Sequence, residues 1–326
     1  MTTQPPSAKG QVRIGARGSK LSLAQAGHMQ RRIAAALGAD PDKPDEVAAA
    51  APLIVITTTG DRVQDRRLLE IGGKGMFTKE IEEAMLEGRI DCAIHSLKDM
   101  PALLPEGLCI AAIPEREDPR DAFLSLKAER LEDLPQGARL GTASLRRQAQ
   151  MLHRRPDLDV RMLRGNVDTR LAKLEAGEAD AILLAFAGLK RLGLEHLPQS
   201  LIDPLECPPA PGQGALAIET RVGDCDAAWV RAIQHHGTTV AVAAERGALA
   251  ALEGSCKTAI GAHAWFEGAR LKLIVEALST DGQRRFRHAG EADLTELADA
   301  QASARDLGLS LGLAVKADAG DAIDLS

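Results

Sequence analysis

The sequence predicts an α/β protein assembled from three units, and three observations carry that reading. Apolar runs of strand length end in tight turns and pass straight into segments with helical apolar spacing, as in "QVRIGARGSKLSLAQAGHMQRRIAAAL". A second α/β set begins after the charged, proline-bearing segment "PEREDPRDAF". A proline-rich return, "PPAPGQGALAIET", then leads into a further strand before a third unit starts near Val240. Paired crossings of this kind hinge two α/β lobes around a cleft.

The elements follow in order. "QVRIGARGS" reads as strand and turn, with Ser19 as N-cap of the helix behind it. "LIVITTTG" reads as a continuous buried strand, "TKEIEEAMLEG" as a helix stopped by Gly88, and "IDCAIHSLKD" as a strand with polar residues at its carboxyl end. In the second set, "ARLGTASLRRQAQMLHRR" is strand, turn and helix, and "DVRMLRGNVDTRLAKLEAG" is strand, loop and helix. "ADAILLAFAGLKRLG" is a strand running into a short helix. The third unit contains the helix "VAVAAERGALAAL", a turn at Cys256, the strands "GAHAWFEG" and "RLKLIVEALS", and a final helix rich in alanine and leucine. No internal repeat or low-complexity tract is evident.

Composition narrows the function. With 45% hydrophobic and 26% charged residues over 326 positions, the chain has the makeup of a soluble globular protein of two or three domains. A net charge of -6, 2% aromatic residues and no tyrosine argue against nucleic-acid binding, which needs basic stripes or stacking platforms. The polar start "MTTQPPSAKG" does not read as a signal peptide and no run reaches the length of a membrane span, so a cytoplasmic protein is expected. Five cysteines without a C-x-x-C pair fit a reducing compartment and argue against both a disulfide framework and a zinc site. Cys92 and Cys109 lie in strand-like apolar runs and are expected to pack in cores.

Two segments share one physical design. "GARGSKLS" and "GTASLRRQ" each place small hydroxyl residues at a helix start with arginine nearby. Ser19, Thr142 and Ser144 therefore either cap helices or help to hold an anion against the unpaired N–H groups there. Arg17 belongs to the first segment, while Arg146 and Arg147 open the helix of the second, where the dipole disfavours a cation, so a bound anion explains them better than helix stability does. Arg164, Arg170 and Arg191 stand at or near loop ends of the second set. Taken singly they read as surface residues, and together they suggest a polyanionic ligand gripped by planar guanidinium forks.

"IGGKGMFTKE" is glycine-rich but lacks nucleotide-loop spacing, since Gly75 stands where a hydroxyl should follow Lys74. The segment reads either as an ordinary loop or as one that brings Lys74 to an anion. In "HSLKDMP", Lys98 and Asp99 follow a buried strand at the end where α/β proteins keep their clefts. Asp99 is either a turn residue or the one carboxylate able to stabilise a developing cation. Cys256, in "ALEGSCKTAIG", has Lys257 beside it and a Gly-Ser turn before it, which favours the thiolate. Cys225 and Cys207 have acidic neighbours instead. Cys256 reads as an attachment or nucleophile site, or else as a buried turn residue.

From about Val12 to the last helix the chain resembles the porphobilinogen deaminases, also called hydroxymethylbilane synthases. The motifs that carry the resemblance are "GGKGMFTKE", "HSLKDMP", "EREDPRDAF", "GTASLRRQ", "LRGNVDTRL", "AGLKRLGL", "PGQGA" and "LEGSC", in that order. The resemblance implies three α/β domains, the first two like type II periplasmic binding proteins around a cleft. These are residues 1–114 with 213–233, residues 115–212, and residues 234–326. It implies a dipyrromethane cofactor joined by a thioether to Cys256, and a transferase that links four porphobilinogen molecules head to tail, losing ammonia at each step, to give the linear tetrapyrrole hydroxymethylbilane. It also implies a cytoplasmic monomer that takes a small-molecule substrate and engages neither nucleic acid nor membrane, without metal.

Each porphobilinogen ring bears an acetate and a propionate. On the resemblance, Arg17, Arg146, Arg147, Arg164, Arg170 and Arg191 pair those carboxylates, Ser19, Thr142 and Ser144 add donors, and Lys74 and Lys98 add charge. Asp99 would stabilise the positive charge on the reacting pyrrole and assist proton transfer. Phe77 would pack over a ring, and Gln213 would line the hinge side. Lys20, Glu70 and Ala143 depart from the pattern common among relatives and bear on details of carboxylate binding and loop charge. A two-lobed binder of a small organic anion, without catalysis, is the competing reading. The lack of a signal peptide and the cysteine of the third unit count against it.

Overall fold

The computed structural model describes residues 10–62, 78–101, 104–252, 258–294 and 299–323. In chain order the elements are β1 (Ile14–Arg17), α1 (Lys20–Ala36), α2 (Pro44–Ala50), β2 (Leu53–Ile56), α3 (Thr59–Arg62), α4 (Lys79–Leu86), β3 (Cys92–Ser96), β4 (Leu108–Ala112), β5 (Asp121–Ser125), β6 (Arg139–Gly141) and α5 (Leu145–Arg154). There follow β7 (Asp159–Arg161), α6 (Val167–Glu175), β8 (Ala181–Ala185), α7 (Phe186–Arg191), β9 (Ser200–Leu201), β10 (Leu216–Arg221), α8 (Ala228–Ile233), α9 (His236–Ala251), β11 (Ala259–Glu267), β12 (Arg270–Leu278), β13 (Arg285–Asp293) and α10 (Ala300–Ala319). The chain divides into two compact units, Met1–Arg116 with Ala215–Thr239, and Glu117–Gly214 with Val240–Ser326.

The first unit is built on a five-stranded sheet in the order β2-β1-β3-β10-β4. β2, β1 and β3 run parallel, β10 is antiparallel to β3, and β4 is antiparallel to β10. The helical spacing of α1 puts Ala26, Met29, Ile33 and Ala34 on one buried face. That face packs with Ile14, Ile94, Ile218 and Trp229. Ile81, Ala84 and Met85 of α4 belong to a separate apolar cluster with Ile90, Ala93 and Leu108. Each large aliphatic side chain so buried contributes roughly 1.5–3 kcal/mol. Gly88, at φ +72°, ends α4 as its position predicts. β2 differs from the expected buried strand: it is the sheet edge, and Val55 is 55% exposed.

The second unit holds a five-stranded sheet with the same pattern of directions, ordered β7-β6-β8-β5-β9. β7, β6 and β8 are parallel, β5 is antiparallel to β8, and β9 is antiparallel to β5. In each sheet the strand next to one edge comes from a crossing segment, β10 in the first and β5 in the second. The crossing read from "EREDPRDAF" therefore continues into a buried strand that the charge before it obscures.

The third sheet, β11-β12-β13, belongs to the second unit and is covered by α9 and α10. Its strand β13 was not expected from the sequence. Ala149 of α5 packs with Ala259 and Leu278, and Gln150 Nε2 donates to Glu276 Oε1 at 2.7 Å. The wholly buried Glu245 accepts from the Gly212 and Ala264 backbone N–H groups at 2.7 and 2.9 Å, tying α9 to the proline-rich return and to β11.

Two cysteine expectations are corrected. Cys109 on β4 and Cys225 in the turn after β10 form a disulfide across 116 residues, so neither is a core thiol or an acid-flanked free thiol. The antiparallel pairing of β4 with the end of β10 brings them together. Cys92 is fully buried as expected, and that burial pushes its thiol well above the ordinary cysteine range.

Candidate active site

Within the first unit the predicted residues come from the carboxyl ends of neighbouring parallel strands. β1 ends at the half-buried Arg17, and Ser19 caps α1 by accepting from the Ser22 N–H at 3.3 Å. Beside it, β3 runs into a single 3-10 turn, Leu97–Asp99, that exposes Lys98 and Asp99. The turn is fixed by the Leu97 N–H donating to the Ala215 carbonyl at 3.0 Å and by the buried side chain of Leu97. Gln25 of α1 donates from Nε2 to Ser96 Oγ at 3.0 Å, linking the helix capped by Ser19 to the strand that leads into the Asp99 turn. Strand ends in a parallel sheet are where α/β folds bind ligands.

Lys74 and Phe77 lie outside the described residues, as does Cys256.

Within the second unit the same rule holds. β6 leads to Thr142 and Ser144, β7 to Arg164, and β8 through α7 to Arg191. Thr142 Oγ1 accepts from the Ser144 N–H at 3.1 Å, and Ser144 caps α5 by accepting from the Arg147 N–H at 3.4 Å. Arg170 is half-buried on α6, whose N-cap is Asn166. Arg191 donates to the Gly214 carbonyl at 2.7 Å, and burial pushes its guanidinium down to about 10. Gly214 has φ +89°, and a Cβ there would sit 2.2 Å from the Glu117 carbonyl oxygen, so the two crossings can run side by side only with glycine at this position.

Arg146 and Arg147 have an internal partner that the sequence reading missed. Asp121, the first residue of β5, accepts from Arg146 at 2.8 Å, from Arg147 at 2.7 Å and from Gln213 Nε2 at 2.8 Å, all in a buried setting. Arg147 also donates to the Leu183 carbonyl, while Arg146 Nη1 donates to Gln150 and to the Pro208 carbonyl. On the sequence alone a bound anion explains this arginine pair better than helix stability does, and Asp121 adds an internal carboxylate that accounts for part of its placement. Burial alone would raise the Asp121 carboxyl, but the two guanidinium charges reverse that and hold it far below the usual carboxylate range.

One carboxylate against two guanidinium groups leaves one positive charge in excess. Arg146 Nε is buried without a hydrogen-bond partner, and so is Arg164 Nη1. Buried donors of this kind fit the carboxylates of a polyanionic ligand, which is the donor set that a dipyrromethane with its acid side chains requires.

A model of the porphobilinogen deaminase dipyromethane cofactor binding domain matches residues 12–228, and one of the porphobilinogen deaminase C-terminal domain matches residues 239–317. The porphobilinogen deaminase of Phenylobacterium zucineum is 75% identical over 325 residues, covering 100% of both chains. That of Caulobacter vibrioides is 69% identical over 326 residues, covering 100% of this chain and 99% of its own. Among solved structures, a methionine-bound nutrient binding protein from Burkholderia cenocepacia is 14% identical, with a TM-score of 0.42 over 68% of this chain and 89% of its own. Identity of this extent with the first two, together with both domain models in order, makes the chain a member of the porphobilinogen deaminase family.

Proposed function

We infer that the chain joins four porphobilinogen molecules head to tail, releasing ammonia at each addition, and yields hydroxymethylbilane. The observation that carries this is the 75% identity, end to end, with a porphobilinogen deaminase. The buried, partnerless donors on Arg146 and Arg164 support it from the geometry. When bound through Cys256, dipyrromethane supplies the ring to which the first unit is added.

The chain's own residues have three tasks. Arg146, Arg147, Arg164, Arg170, Arg191 and Arg17 pair acetate and propionate groups, with Ser19, Thr142 and Ser144 as further donors and Gln213, Lys74 and Lys98 completing the set. Asp99 presents its carboxylate to the reacting pyrrole, where it stabilises positive charge, helps the amine leave as ammonia and takes up the proton that restores the aromatic ring. Phe77 covers a ring. The three domains assigned above, a monomeric state and a place in the cytoplasm belong to the same reading.

The test is direct. Purified protein given porphobilinogen is expected to release one ammonia per molecule consumed and to show an intact mass raised by a covalent dipyrromethane. Binding of porphobilinogen without ammonia release, at the unmodified mass, would instead make the chain a binder of organic acids.

A further inference from the structure

We propose that Asp121 is a positioning residue for the reaction: it holds the guanidinium groups of Arg146 and Arg147 in the one arrangement that receives ligand carboxylates. The inference rests on the reading that these arginines bind the cofactor or the growing chain.

Three features of the cluster support it. Asp121 is 4% exposed, and Arg146 and Arg147 are 5% exposed each, so their mutual attraction is little screened by water. The contacts are also directional. Arg147 meets Asp121 Oδ1 through both Nε, at 3.2 Å, and Nη2, at 2.7 Å, while its Nη1 is taken by the Leu183 carbonyl at 2.9 Å. Arg146 approaches the other oxygen, Oδ2, through Nη1 and keeps Nε buried and unpartnered. Finally, the register is set by the backbone, because Asp121 opposes Ala185 in the β5–β8 ladder and Gln213 donates to the same Oδ1 that Arg147 uses.

Here a single carboxylate orients two cations and leaves one charge over, beside the first turn of α5, whose own N–H groups favour an anion. Displacing either guanidinium by about 1 Å would cost a positioned ligand as much as a hundredfold in rate.

The experiment compares Asp121→Asn and Asp121→Glu with Asp91→Asn, using full-length protein. Asp91 serves as the control because it too is shared by two arginines, Arg13 at 2.9 Å and Arg221 at 3.2 Å, yet has no place in the proposed site. For each variant, thermal midpoint, dipyrromethane content by intact mass, and KM and kcat for porphobilinogen are measured on the folded fraction. Asp91→Asn is expected to lower the midpoint and leave cofactor content and KM at wild-type values. Asp121→Asn is expected to lower cofactor content and raise KM about tenfold or more. Asp121→Glu is expected to recover part of the midpoint but not the KM, since the charge returns while the guanidinium groups stay displaced. A folded Asp121→Asn or Asp121→Glu with wild-type cofactor content and KM overturns the proposal, and if the first does not fold, the second decides alone. Arg146→Leu and Arg147→Leu, measured alongside, separate the two ideas: wild-type content and turnover in both would overturn the ligand-binding reading of the arginines themselves.

Discussion

Gln25 and Ser96 hydrogen-bond at 3.0 Å and so connect the helix capped by Ser19 to the strand that leads into the turn bearing Asp99. Gln25 is 4% exposed, and the bond is shielded from competing water. Two predicted site residues that lie far apart in the chain are thereby held on one rigid frame, which is what a preorganised charge requires.

From that placement, Asp99→Asn is expected to fold normally, to keep the covalent cofactor, and to lose turnover by about a hundredfold or more. Asparagine preserves shape but deletes the charge that opposes the pyrrole cation. Asp99 is exposed in its turn, so stability should change little. Single-turnover elongation on cofactor-loaded protein is the measurement. Elongation at the wild-type rate would leave Asp99 a turn residue.

Cys256→Ser is expected to lose the cofactor mass and nearly all activity, because a serine hydroxyl forms almost no nucleophile near neutral pH where a thiol forms some. Intact mass decides it. An unchanged mass increment at full occupancy would move the anchor to another residue.

The disulfide makes a separate prediction. In denatured holoenzyme kept free of reductant, two thiols, Cys92 and Cys207, are expected to react with a thiol reagent, and four after reduction, with Cys256 held as thioether throughout. In a reducing compartment the pair stands as two neighbouring thiols. Closing so long a loop is worth on the order of 2–5 kcal/mol, so oxidised protein should unfold at a higher temperature than reduced. Equal midpoints would mean that the bond lends no stability.

Much of this architecture was legible in the sequence because the α/β turns carry local signals. Ser19 and Ser144 cap the helices whose apolar spacing announces them, and Gly88 stops α4. What stayed hidden depends on partners distant along the chain. Asp121 lies 25 residues or more from its arginines, and its only local trace is an acid opening the apolar run "DAFLS". Cys109 and Cys225 were invisible as a pair for the same reason. β13, "RFRHAGEAD", alternates too many charges to read as a strand, yet its pairing with β12 and its packing against α10 make it one. β2 looked buried because an edge strand on the parallel side of this mixed sheet keeps the apolar composition of its neighbours.

A last prediction concerns the buried acids of the first unit. His95 Nε2 lies 3.0 Å from Glu219 Oε2, Glu219 is fully buried, and Glu82 on α4 is 7% exposed with one oxygen lacking any hydrogen-bond partner. Burial, aided by the negative charge of Glu219, raises the Glu82 carboxyl above its ordinary value even though His95 opposes the shift. A carboxyl raised in the folded state binds its proton more tightly there than when unfolded. Its favourable contribution is therefore complete below the unfolded value, at about pH 4, and is lost as pH climbs through the folded value. Glutamine keeps the shape of the protonated acid and cannot ionise. Glu82→Gln is thus expected to gain stability relative to wild type as pH rises from about 4 toward neutrality, ending as the more stable protein. Thermal melts of both proteins across that range, compared pH by pH, cancel the titration of groups not coupled to Glu82. A difference that stays constant, or shrinks as pH rises, would mean that Glu82 is ionised and satisfied in the fold.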